Sequence, residues 1–184
     1  MKQINFITLW WIAFILANIG FTIASSFYPD MLDMFILNSY ANCNIYMYAS
    51  VNIPHALINA AMLLGLLDYY KDYQILPLIL VPIVGILTGL LHFYFFPEKP
   101  ILGYSGAILG LYGFMTVQEL FIDFKKTVWV HVFAIGVFIY GSYLVDKYSN
   151  IIISHEAHLI GFSLGAFFCM LIFALDWLVG RVRK

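Results

Sequence analysis

The chain has 184 residues, of which 63% are hydrophobic and 10% charged, with a formal net charge of −1. Soluble domains carry roughly a quarter charged residues, so this composition excludes a water-soluble globular protein and describes an integral membrane one. No basic run is present that would suit nucleic acid.

The charged residues mark where the elements end. No Asp, Glu, Lys or Arg occurs between Lys2 and Asp30, Asp33 and Asp68, Asp72 and Glu98, Lys99 and Glu119, Lys126 and Asp146, or Glu156 and Asp176. Each of these six intervals can supply the ~20 apolar residues a helix needs to cross a bilayer. A charge at the bilayer centre costs ~2.5–3.5 kcal/mol or more, which is why charges collect at helix ends. The expected fold is an all-α bundle of six transmembrane helices, over residues 4–27, 54–70, 75–96, 103–121, 127–145 and 155–178, making one membrane domain over 1–184. None of these runs alternates as a membrane β-strand would.

The first run is too long for a signal-peptide core and lacks a small-x-small cleavage site, so it reads as a span. The stretch from Tyr28 to Ile53, with "PDMLDMFILNSYANCN", is too polar to span and is expected in the outer interface. The links "DYYKDYQ", "FPEKP" and "DFKKT" are short, so successive helices should be antiparallel neighbours. Pro77 and Pro82 are expected to shape the start of the third span.

With a cytoplasmic N-terminus, the inner segments hold Lys2, Lys71, Lys125, Lys126, Arg181, Arg183 and Lys184, and the outer ones only Lys99 and Lys147. This asymmetry favours both termini in the cytoplasm. Cys43 and Cys169 fall at different depths, so no disulfide is expected, and two unpaired cysteines give no zinc signature.

On this topology spans two, four and six all enter from the outer face. His55 opens span two, Ser105 lies near the start of span four, and His158 about one turn into span six. Asn59 follows His55 by four residues, which puts both on one helix face. Four polar groups therefore share one shallow depth, where polar side chains are costly and usually functional. Below them, Gly106 and Gly110 make a thin face on span four, with Gly103 and Gly113 as further thin positions, and Gly161 and Gly165 make one on span six. Such faces let helix backbones approach closely, which would bring Ser105 towards His158.

A serine hydroxyl becomes a strong nucleophile when a base accepts its proton, and histidine serves near neutral pH. The Ser105 backbone N–H, His55 and Asn59 are candidate donors for the oxyanion that develops. His92 and His131 lack a polar partner at useful spacing and read as structural. In "HEAH", His155 to His158, the histidines are three apart, whereas a zincin needs them four apart in H-E-x-x-H.

"HALIN" (55–59), "GYSGAILGLYG" (103–113) and "AHLIGFSLG" (157–165), in this order and on helices two, four and six, resemble the rhomboid intramembrane serine proteases. The resemblance implies Ser105 as nucleophile, His158 as general base and later acid, and His55 and Asn59 aiding the Ser105 amide at the oxyanion. It implies a protease that cuts single-pass membrane proteins in or near their spanning segments, with a water-filled cavity open to the outer face and no metal or organic cofactor. A core without soluble domains fits a bacterial inner membrane. Position 109 is Leu where the family often has an aromatic residue, and "NIYMYASVNIP" stands in place of the Trp-Arg pair common in the first loop of bacterial members. The competing reading is a rhomboid-like adaptor that binds transmembrane helices without cutting them.

Overall fold

Nothing at the bilayer centre can hydrogen-bond a bare peptide group, so a long apolar run satisfies its backbone internally as a helix. The computed structural model describes residues 6–28, 30, 46–48, 50, 52–73, 75–99, 101–148 and 154–182. Within them run α1 (Phe6–Phe27), a 3-10 turn (Tyr46–Tyr48), α2 (Ile53–Tyr69), α3 (Ile75–Phe95), α4 (Ser105–Tyr148) and α5 (His155–Val182). Among the described residues, four stretches are long and apolar enough to cross a membrane, namely Phe6–Phe27, Ile75–Phe95, Ser105–Lys125 and His155–Val179, while Ile53–Tyr69 and Thr127–Gly136 are shorter apolar helices. Cys43 lies outside the described residues; Cys169 is a free, buried thiol.

The fourth and fifth expected spans form one helical run, interrupted at Asp123, whose φ of −149° and ψ of 80° leave the helical region. The run folds back there. Tyr112 and His131 would stand about 28 Å apart on a straight helix, yet the Tyr112 hydroxyl meets His131 Nδ1 at 3.1 Å. The Thr127 hydroxyl, donating to the Asp123 carbonyl at 2.6 Å, closes the turn. The "DFKKT" link is thus shorter than its composition suggests.

The first arm of α4 is the centre of the molecule. Tyr104 just before it, and Ala107, Ile108 and Leu111 within it, are fully buried. Tyr104 packs edge-on against Phe14 of α1 at 5.2 Å, and Phe114 meets Tyr70 at the end of α2 at 6.5 Å. The opposite stripe carries the glycines, against α3 and α5. A helix enclosed on all sides needs apolar or small residues around its whole circumference, which is what "GAILGLYGF" provides.

Part of the stretch expected in the outer interface is core instead. Tyr46, Met47 and Ser50 are buried, because their polar groups find partners inside. The Tyr46 hydroxyl donates to the Gly85 carbonyl of α3 at 2.8 Å. Asn18 of α1 donates to the Met47 carbonyl at 3.2 Å, and the Ser50 amide donates to the Thr22 hydroxyl at 3.0 Å. Pro82 also departs from expectation, standing in the interior of α3 rather than at its start.

Candidate active site

Each polar residue is set by the local chemistry of its helix start. Asn52, in an extended conformation, caps α2 by accepting the His55 N–H at 2.9 Å, and Pro54 follows in the first turn. Such a cap contributes ~1 kcal/mol, and it fixes His55 on the first turn with Asn59 one turn on. Asn59 Nδ2 lies 3.3 Å from His55 Nε2. When the amide donates to Nε2, the histidine proton is on Nδ1, a buried atom with no hydrogen-bond partner among the described residues.

At the start of α4, Gly103 has a φ of +104°, a conformation glycine adopts without the Cβ strain other residues meet. Its N–H donates to the Tyr46 carbonyl at 3.0 Å. Gly103 thus precedes the helix and shapes the chain entering it, which corrects the expectation of a thin packing position on the helix itself. Ser105 is the first helical residue and is half-buried.

The glycine faces on α4 and α5 meet. A Cβ on Gly106 would stand 3.2 Å from the Ala157 carbonyl oxygen and one on Gly110 3.0 Å from that of Gly161, while a Cβ on Gly161 or Gly165 would overlap the carbonyl of Gly106 or Gly110 respectively. Gly113 likewise faces the Phe162 backbone. At the N-terminal end of both helices along this seam, His158 Nε2 is 2.7 Å from Ser105 Oγ. His158 is buried, at 8% exposure, beside the half-buried Ser105. Leu109, four residues after Ser105, is buried.

The sequence-expected residues thus form two hydrogen-bonded pairs, Ser105 with His158 and His55 with Asn59, on helices that pack together. No hydrogen bond joins His55 or Asn59 directly to Ser105 among the described residues. Two expectations need correction. His92 and His131 do have polar partners, from distant parts of the chain. His92 Nε2 is 2.9 Å from the Ser154 hydroxyl, and His131 meets Tyr112, Thr116 and Glu119, the last at 2.9 Å. Ser154 was missed, although a serine directly before an apolar periodic run is a helix-cap signal. Its hydroxyl accepts the Ala157 N–H at 3.2 Å, capping α5. Glu156, on the same turn, pairs with Lys99.

A family model, the Rhomboid domain, matches residues 38–175. No curated protein and no solved structure gives a match. The match covers well over half of the chain and takes in every residue of both pairs, and on it this integral membrane protein belongs to the rhomboid family.

Proposed function

We propose that the protein is an intramembrane serine endopeptidase working through a Ser105–His158 dyad. The observation that carries this reading is the 2.7 Å separation of His158 Nε2 from Ser105 Oγ, within the reach a general base needs. Ser105 Oγ attacks the scissile carbonyl carbon as its proton passes to His158 Nε2. The tetrahedral intermediate then collapses, and His158 returns the proton to the leaving amine nitrogen. Water, deprotonated by the same imidazole, releases the acyl group and regenerates the serine. No metal or organic cofactor takes part.

The oxyanion is assigned to the Ser105 amide, at the N-terminal end of α4, together with His55 and Asn59. A buried donor without a partner costs ~1–3 kcal/mol, and the His55 Nδ1 proton is such a donor when Asn59 donates to Nε2. An oxyanion would satisfy it. Asn59→Ala should accordingly lower kcat by about ten- to a hundredfold, somewhat less than the loss of a sole oxyanion donor. Steady-state cleavage rates check this, and an unchanged kcat would remove Asn59 from the assignment.

The chain is read as a single membrane domain crossing six times, with both termini cytoplasmic, in a bacterial inner membrane. The lysine and arginine distribution supports that orientation. Substrates would be single-pass membrane proteins that reach the dyad from within the bilayer. The adaptor reading rests on Leu109, which leaves the position often aromatic in the family aliphatic, and on "NIYMYASVNIP" in place of the Trp-Arg pair of the first loop.

One experiment separates the two. Purified protein in detergent is treated with a fluorophosphonate probe beside Ser105→Ala and His158→Ala, and adducts are mapped by mass spectrometry. An adduct on Ser105 that weakens without His158 is the expected result. Folded protein that takes no label would favour the adaptor.

A further inference from the structure

His158 stands on the first turn of α5, where helices fray most readily because their leading N–H groups lack partners within the helix. Its own N–H makes one of the first backbone bonds of that helix, to the Ser154 carbonyl at 3.2 Å. The first turn of α5, which carries the imidazole, is therefore tied directly to the position of Ser154.

Ser154 is held from α3. Val84, Thr88 and His92 recur every four residues and form one face of that helix. Val84 stands against Gly110, Thr88 against Gly106, and His92 against Ser154 at 2.9 Å. The same face that backs the glycine seam thus ends on the residue that caps the histidine helix. His92 is buried at 1% exposure, and its ring lies 5.5 Å from Phe96. Because the Ser154 oxygen accepts the Ala157 N–H, its own proton is free to donate to His92 Nε2. With the His92 ring proton on Nδ1, that bond orients the hydroxyl so that its lone pair faces the helix. A second tie on this turn, Lys99 to Glu156, is more exposed, with the lysine side chain at 58%, and exposed pairs contribute little.

We propose that His92 is a positioning residue for the general base, fixing His158 opposite Ser105 by orienting the Ser154 cap of α5. The proposal rests on the dyad reading above. It requires at position 92 a hydrogen-bond acceptor with the reach of Nε2. Glutamine places its amide oxygen as many bonds from Cα as Nε2, whereas asparagine falls one bond short.

The test is the inactivation kinetics of Ser105 by the fluorophosphonate probe, separating kinact from KI, in wild type, His92→Gln, His92→Asn, Ser154→Ala and the Ser154→Ala/His92→Asn pair. Thermal unfolding is followed in the same detergent. His92→Asn and Ser154→Ala are each expected to lower kinact by about tenfold with KI unchanged, the scale on which loss of a helix cap acts. His92→Gln should restore most of the rate. The double variant should be no slower than either single one, because both act along one path. A role confined to folding would lower thermal stability without this split and without selective rescue by glutamine. The proposal is overturned if kinact is unchanged in the His92 variants, if glutamine and asparagine behave alike, or if the losses multiply. Wild type that takes no label at Ser105 would overturn the dyad reading as well, whereas a labelled wild type with a flat His92 series overturns the positioning role alone.

Discussion

Ser105→Ala is expected to lower cleavage of a transmembrane substrate by on the order of 10⁴-fold or more, with the unfolding temperature in detergent unchanged. The two halves of this expectation have separate physical causes. The hydroxyl is the only side-chain group of residue 105 that the proposed chemistry uses, and alanine offers no nucleophile in its place at 2.7 Å from His158 Nε2. The backbone loses nothing: alanine is the best helix former, and the site is half-buried at the first position of α4. Its amide stays in place, so the variant should still bind substrate. His158→Ala should cause a loss of similar size, and the double variant should be little worse, since groups that act as one unit are not additive. Cleavage by Ser105→Ala at the wild-type rate would end the serine mechanism and leave the pair as a packing contact between two helices.

What the chain reveals without its fold depends on the range of the interaction. The spacing of His55 and Asn59 is local, and the contact follows from helix geometry alone, as the 3.3 Å separation bears out. The juxtaposition of Ser105 and His158 is not local. It was legible because two other features pointed to it, the common direction of their helices and the matching glycine faces below them. Ser154 and His92 lie 62 residues apart and have no such second signal. Nothing near His92 in the sequence points to Ser154, and only packing supplies that partner.

The stretch around Tyr46 to Ser50 misled for a related reason. Hydropathy scores each residue as if it faced solvent or lipid alone, so tyrosine, asparagine and serine mark an interface. Here Asn18 and Thr22, polar residues buried in α1, meet Met47 and Ser50, and the polar groups cancel one another's burial cost. Asn18 and Thr22, polar residues well inside the first span, were the available clue. Gly103 illustrates a different limit: small size and a left-handed φ both select glycine, and sequence alone does not say which applies.

Gly161→Ala, a change of one methyl group about one turn from His158, is expected to reduce the rate of Ser105 modification by about a hundredfold. The added Cβ would overlap the carbonyl of Gly106, the residue next to the nucleophile. Both partners are backbone atoms in helices, so neither can rotate away as a side chain would. Relief requires α5 to shift from α4, and strain of this kind costs ~1–3 kcal/mol. That shift opens the seam at the end where His158 meets Ser105. A misplacement of about 1 Å is worth about a hundredfold in rate. The control is Gly65→Ala in α2, where a Cβ meets nothing within 4 Å. It should leave the rate unchanged and raise stability by about 0.4–1 kcal/mol, through the entropy of the unfolded chain. If Gly161→Ala reacts as wild type does, the glycine contact does not set the distance between the two side chains. If Gly65→Ala is equally damaging, the loss reports helix substitution in general. Only a selective effect at Gly161 ties the dyad to the seam.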